Sequence, residues 1–442
     1  MLKHKGRKLI AGTALACVLG APGIAAADAE MDALKRQIDQ LQRQLNDIQA
    51  RQATVEKKQE EALTEADLKG SMPGSIRIPG TSTSLKIGGY VKLDGTYDMG
   101  PSMGSVVTPD AMPLDGTRER DGAFGFNARQ TRLNVTTETP FDGFTARSVL
   151  EIDFYGSGGT EAYTNSVSPR LRHAYITAGP FTIGQTWTTA YDLVAAPEKL
   201  DFGGLPAELA LRQPQVRYTH AEGAGTFSVA LENPESDFIG NVAANNSNPA
   251  ATGGISGLAD PNFDRLPDLT VRYAHKFDWG HLAGFAIARE ITADTATADD
   301  SVLGWGVGLS GSVKFLEKDK FGFQALYGEG VNRYMTLSYR QSASFDGTDL
   351  DALPSWGGTF TVQHHWDDMF RSNVTFAYHR IENNSTVPQT ANKEMLTFHG
   401  NIIAAIIPAL DVGLEYSHAQ RETEGGQTGS ADRLQASVMY KF

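Results

Sequence analysis

Six arginines, Arg132, Arg147, Arg170, Arg172, Arg217 and Arg272, are spread along a 442-residue chain, and a run of acids at Asp192, Glu198, Asp201 and Glu208 lies among them. A guanidinium stays charged at any working pH and presents a planar fork of donors that meets a carboxylate at two points. Along a water-filled passage, a row of such forks replaces part of an anion's hydration shell, and because each contact is wet and repeated the anion also leaves. Acids on the opposite side of the passage set up a transverse field that aligns dipolar solutes. The plainer alternative is that the arginines pair with Glu138, Glu151 or Asp153 and keep a polar wall satisfied.

Other chemistry finds little in the chain. His364-His365 and His379, with scattered Ser and Asp, have no spacing that supports a catalytic triad, so no enzyme is expected. Gly156-Ser157-Gly158-Gly159 has no helix pattern after it to hold a phosphate. Asp299-Asp300, Asp349-Leu350-Asp351 and Asp367-Asp368 read as solvated loop charge, with calcium or lipopolysaccharide bridging as the alternative. No metal or other cofactor is expected.

The elements that must position these side chains begin with an export signal. Residues 1–27 carry Lys3, Lys5, Arg7 and Lys8, an apolar stretch from Leu9 to Leu19, and Ala25-Ala26-Ala27 as a small-residue cleavage site. A lipoprotein reading of Cys17 requires a large aliphatic three positions earlier and finds Ala14. Cleavage after Ala27 leaves no cysteine, so disulfides and thiol chemistry drop out. It also removes four cations and no acids, taking the formal charge from −13 to −17, which argues against nucleic acid as a partner. The mean hydropathy is −0.29, and after residue 27 no apolar run approaches the ~20 residues of a membrane helix.

Met31, Leu34, Ile38, Leu41, Leu45, Ile48 and Val55 follow alternating steps of three and four, interrupted only at Gln52, which is a heptad seam. Residues 28–69 are therefore read as a short α-helical coiled coil, since an isolated helix of this length is marginal in water. The alternative is a lone amphipathic helix lying on a surface. Gly70, Pro73 and Gly74 end it, and 70–84 is a linker.

From Leu85 to Phe442 the period becomes two. Leu434, Ala436, Val438, Tyr440 and Phe442 share one face, opposite Gln435, Ser437, Met439 and Lys441. Such alternation lets a strand face lipid on one side and water on the other without raising average hydropathy. The expected fold is an all-β transmembrane barrel of about sixteen antiparallel strands over 85–442, including 124–139, 143–155, 281–291, 302–316, 409–420 and 430–442. A stretch near 332–343 with Tyr334, Thr336, Ser338 and Arg340 is left in a loop because a seventeenth strand breaks the parity. Tight connections such as Pro140-Phe141-Asp142-Gly143 alternate with long polar ones. Short turns face the periplasm in bacterial barrels, which puts both chain ends and the coiled coil there, in a Gram-negative outer membrane with lipid and lipopolysaccharide around it.

Ile76-Arg77-Ile78-Pro79-Gly80-Thr81-Ser82-Thr83-Ser84-Leu85-Lys86-Ile87-Gly88-Gly89-Tyr90-Val91-Lys92-Leu93-Asp94 after a heptad segment resembles the opening of the DcaP-like porins. Arg170-Leu171-Arg172-His173-Ala174-Tyr175, Gly184-Gln185-Thr186-Trp187 and Gly328-Glu329-Gly330-Val331-Asn332-Arg333-Tyr334 extend the likeness over the mature chain. The resemblance implies a homotrimer of 16-stranded barrels and passive diffusion of small anions, dicarboxylates above all. It also implies that the third long loop, 189–211, folds inward as a constriction and sets Asp192, Glu198, Asp201 and Glu208 against the arginine wall. Its Asp201-Phe202-Gly203-Gly204 run is similar to the acid-Phe-Gly-Gly turn of general porins. Three rivals fit the same residues: a sugar-specific porin, which calls for a ladder of lumen aromatics, a general non-selective porin, and a structural tether to the cell wall.

Overall fold

The computed structural model of the protein describes residues 24–61, 68–116, 122–156, 158, 162, 164–240, 264–294, 299–335 and 341–442. The chain divides into two units, Met1–Lys69 and Gly70–Phe442. In the first, one α-helix, α1, spans Ile24–Glu61. It runs through the expected cleavage point after Ala27, while residues 1–23, most of the signal segment, lie outside the described residues. Its flanks are solvated, as the Arg51–Asp47 pair one turn apart at 3.0 Å illustrates, and its apolar seam is bare, with Leu41 63% and Ile48 60% exposed.

In the second unit the alternating segments form sixteen barrel strands. They are β1 (Ser84–Asp98), β2 (Ala123–Asn127 with Arg132–Phe141), β3 (Phe144–Asp153), β4 (Arg170–Ala178), β5 (Phe181–Trp187), β6 (Arg212–Glu222), β7 (Gly225–Glu232) and β8 (Asp268–Phe277). The circuit continues with β9 (Gly280–Asp294), β10 (Asp299–Lys314), β11 (Lys320–Glu329), β12 (Pro354–His365), β13 (Phe370–Ile381), β14 (Asn392–Ile407), β15 (Leu410–Thr423) and β16 (Thr428–Lys441). Each pairs antiparallel with the next, and β16 closes on β1 from Tyr90↔Lys441 to Asp98↔Arg433. The linker is not featureless: Ile76–Arg77 pairs back onto the start of β1.

Alternation sorts the two faces. On β16, Leu434 and Val438 point out, 50% and 46% exposed, while Arg433 and Gln435 between and beside them are at 0% and 3%. Exposed aromatic rings frame the outer apolar band: Phe141, Phe144, Phe277 and Trp279 at the short-turn end, Tyr97, Phe124, Trp305 and Trp356 at the other. Rings at both rims with aliphatics between them are the surface a bilayer requires.

The strands were readable from sequence, with two differences. β2 breaks at residues 128–131, where four residues oppose Val91–Leu93. The β9–β10 and β15–β16 connections are only residues 295–298 and 424–427, because those strands continue past the expected ends as hairpins. Asn332–Tyr334 forms a helical turn and Ala343–Phe345 joins a small inner sheet, parallel to Phe238–Gly240 and antiparallel to Leu350–Ala352; residues 336–340 lie outside the described ones.

The described parts of four long connections fold into the barrel rather than away from it. The inner sheet packs Phe238, Phe345 and Leu350 against Ile291 and Ala293. Arg289 on β9, fully buried, holds it there through Asp237 at 2.9 Å and Asp268 at 3.7 Å. Residues 99–116 seat Met103, Val107 and Met112 on Ala419 and Ala431.

The connection 188–211 makes nearly a full circuit of the interior. Asp192 accepts from His281 Nε2 (2.7 Å), Ser310 Oγ (2.8 Å) and Arg272 Nη2 (2.9 Å), on β9, β10 and β8. Glu198 takes Arg371 of β13 in two-point fashion, at 2.6 and 2.9 Å, and Gln363 of β12 at 2.7 Å. The backbone N–H groups of Leu200 and Asp201 donate to Glu415 of β15 at 2.7 and 2.9 Å, and Lys92 of β1 donates to the Leu200 carbonyl at 2.6 Å. Asp201 then meets Arg433 of β16 at 3.2 Å. Packing is close enough that a Cβ on Gly322 would sit 2.5 Å from the Ala195 carbonyl.

Burial opposes ionisation of Asp192, but the hydrogen bond from His281, the Arg272 charge and Ser310 outweigh it and hold the carboxyl below its ordinary value of 3.8. A group depressed in the folded state contributes stability above its unfolded value and loses it only as pH falls through the folded one. The Asp192 anchor therefore persists at pH 5: the loss of stability caused by Asp192→Asn, read from urea unfolding, should be the same at pH 7 and pH 5. Arg289→Leu leaves the buried Asp237 carboxylate without its cation, while Asp268 keeps Arg333 at 3.2 Å, and should destabilise the barrel by roughly 3–5 kcal/mol, read from urea unfolding of the refolded protein.

Candidate functional site

The site is the stretch of inner wall that the inward loops leave to the arginines, on β2 to β6. Backbone irregularity places several of them. At the β2 break Thr131 turns back on Ala128 (3.0 Å), bringing Arg129 under the Tyr155 ring at 4.8 Å. On β4 the register slips so that Glu151 faces His173 and Ile152 faces Leu171. The extra residue lets Arg172 and His173 both turn inward, each under 9% exposed, as a bulge does when it re-aims a side chain.

Around these, charges and rings interleave. Arg132 reaches Glu151 at 3.4 Å and lies 5.1 Å from the Tyr90 ring. Arg170 forms a two-point pair with Asp153 at 2.7 and 3.0 Å, and Arg172 bridges Glu151 (2.8 Å) and Asp153 (2.9 Å). The loop meets this wall through Phe202, which stacks on Tyr155 at 4.8 Å with Arg172 and Arg170 at 5.2 and 5.6 Å from its ring. Arg212 and Arg172 share Trp187, at 4.5 and 5.9 Å. Burial, followed by the charge of Asp201, pushes the Tyr155 phenol well above its ordinary value, so it stays neutral.

Five guanidiniums, those of Arg129, Arg132, Arg170, Arg172 and Arg212, thus face two carboxylates, Glu151 and Asp153. Arg212 and Arg129 make no ion pair among the described residues; Arg129 is held by the Phe154 carbonyl and Ser105 Oγ, each at 3.3 Å. Guanidiniums against aromatic faces are attracted by the ring quadrupole at about 0.5–2 kcal/mol each, which lets a cation be held without a carboxylate.

The candidates named from sequence divide three ways. Arg132, Arg170 and Arg172 join the cluster; Arg272 is taken up by Asp192; Arg147 and Arg217 stand nearer the short-turn ends of β3 and β6. The loop acids are not a free acidic rim. Asp192, Glu198 and Asp201 are each paired with a wall arginine, and Glu208 takes the Tyr191 hydroxyl at 3.0 Å and the Leu205 N–H at 3.3 Å. Sequence reasoning missed Arg129, Arg212, Arg371, Arg433, Lys92 and Glu415. Alternation marks Arg371, Arg433 and Glu415 as inward-facing, whereas Arg129 depends on a break in β2 that no turn residue announces.

Residues 23–442 match the family described as DcaP outer membrane protein. The crystal structure of the outer membrane channel DcaP of Acinetobacter baumannii superposes with a TM-score of 0.70 at 22% identity, covering 85% of this chain and 99% of that one. An anion-selective porin from Comamonas acidovorans (TM-score 0.52, 11% identity, 81% and 100% covered) and the Salmonella typhi OmpF complex with daunomycin (0.51, 11%, 83% and 100%) share the fold. A comparison with curated proteins finds no match. With sixteen closed strands, an apolar belt and a polar, loop-filled interior, the chain belongs to the DcaP outer membrane protein family.

Proposed function

We propose that the protein passes small hydrophilic anions by passive diffusion, dicarboxylates above all, with residues 189–211 as the constriction and the arginine wall of β2–β6 as the selective surface. The observation that carries this is charge segregation. Three of the loop's acids, Asp192, Glu198 and Asp201, are bound up on β8–β16, while β2–β6 keep more guanidiniums than carboxylates. A unit charge pair at 4 Å is worth about 1 kcal/mol in bulk water and about 4 kcal/mol at an effective dielectric of 20. That range gives preference for a diacid and still allows release. A sugar path instead needs ring faces open to the solute, and here the faces of Tyr90, Tyr155, Phe202 and Trp187 carry guanidiniums.

The bare seam of α1 supports assembly of a homotrimer through a periplasmic coiled coil, since solvent-exposed Leu34, Ile38, Leu41 and Leu45 gain by burial against partner copies. The same helix serves the tether reading without excluding transport.

In planar bilayers under a KCl gradient the reversal potential should report anion preference, and succinate or phthalate should block the current. Arg132→Ala with Arg172→Ala should lower the anion-to-cation permeability ratio by about three-fold or more; an unchanged ratio, or a cation-selective wild type indifferent to diacids, overturns the reading. Separately, Ile38→Asp with Leu45→Asp should lower the temperature at which the oligomer dissociates on gels while leaving single-barrel conductance in place.

A further inference from the structure

Arg147 and Arg217, expected from sequence to line the same wall as the other arginines, sit apart from the cluster. Register links them in one row, Glu138↔Arg147↔Thr177↔Thr182↔Arg217, across β2 to β6. Both face the lumen, because Arg147 keeps step along β3 with Glu151 and Asp153, and Arg217 keeps step along β6 with the buried Gln213 and Gln215. They lie near the short turns of β2–β6, away from the inner sheet; the loop 188–211 reaches that end of the barrel on other strands, through His281, Lys320 and Arg371.

Between this row and the cluster runs another, Val149↔Tyr175↔Gly184, with no charged side chain on β3, β4 or β5 and Lys86 of β1 at its edge. Arg147 is four residues from Glu151 and Arg217 five from Arg212, which is about 13–16 Å along the strands. That backbone spacing exceeds the Debye length of about 8 Å at physiological salt, which favours two stations over one field. Neither Arg147 nor Arg217 makes an ion pair within 4 Å among the described residues. Glu138, the acid beside Arg147, accepts instead from Ser71 of the linker at 3.1 Å.

We infer that Arg147 and Arg217 form a second anion station at the periplasmic exit of the lumen, where small carboxylates bind after or before passing the constriction. The inference rests on the anion reading above. Two weak stations in series favour throughput, because an ion arriving at one helps the next to leave.

The test uses the full-length protein inserted in one orientation, with succinate added to one side at a time. Arg147→Gln with Arg217→Gln should slow the on-rate of succinate block from the periplasmic side by roughly three- to ten-fold and leave the extracellular on-rate unchanged; the Arg147→Lys, Arg217→Lys pair should restore it. Equal slowing from both sides would mean a single continuous site and overturn the inference, as would no change from either side in a channel whose wild type is anion-selective. A wild type with no anion preference would sink the constriction reading and this station together. Retention of the heat-modifiable gel shift in every variant confirms that each barrel is folded.

Discussion

A strand that crosses hydrocarbon has to pair each of its N–H and C=O groups within the protein, and everything else in this fold follows from closing that ladder. Closure comes at β16 and β1, where the terminal Phe442 and Gly89 exchange both backbone hydrogen bonds at 3.1 Å. Gly89 has φ 154, and a Cβ there would lie 2.1 Å from the Arg132 carbonyl, so the seam leaves room for glycine alone. Where the ladder lapses at residues 128–131, the Thr131 hydroxyl takes over, with the Lys92 N–H at 3.2 Å and the Lys92 carbonyl at 3.3 Å. This interruption of the wall is thus repaired by a side chain, and it is also what turns Arg129 and Gln130 toward the interior.

Closing the ladder commits the other face of every strand to a polar interior wider than its side chains fill. The long connections occupy that space, and their burial obliges each charge they carry to find a partner. Removing one member of such a pair is expensive, while the pair itself adds little net stability. Its consequence is positional: Asp192, Glu198 and Asp201 station the loop at three places around the wall. Glu415, buried on β15, does the same with the loop's own N–H groups.

Once the acids are committed to holding the loop, the wall from β2 to β6 is left with a surplus of guanidiniums. Aromatic rings keep them in place without neutralising them. On the proposed reading, loop fastening and selectivity draw on one pool of charge, and the division between them is made by which side of the barrel each arginine occupies.

Much of this was legible in the residues themselves. Period-two alternation from Leu85 onward determined the barrel, its strand number and the inward set that includes Arg132, Arg170 and Arg172, because lipid outside and water inside impose that period on any strand. The heptad spacing likewise determined α1, though a partner for its seam is a matter of assembly. What only the tertiary structure decided is which charges meet. Asp192 and Arg272 are 80 residues apart and Asp201 and Arg433 are 232 apart, and nothing local links them. The break in β2 and the bulge at Arg172 were equally hidden, since each is a response to neighbouring strands. Alternation says that a side chain faces the lumen, and only the path of the loop through that lumen says whether its charge is taken up or left for a solute.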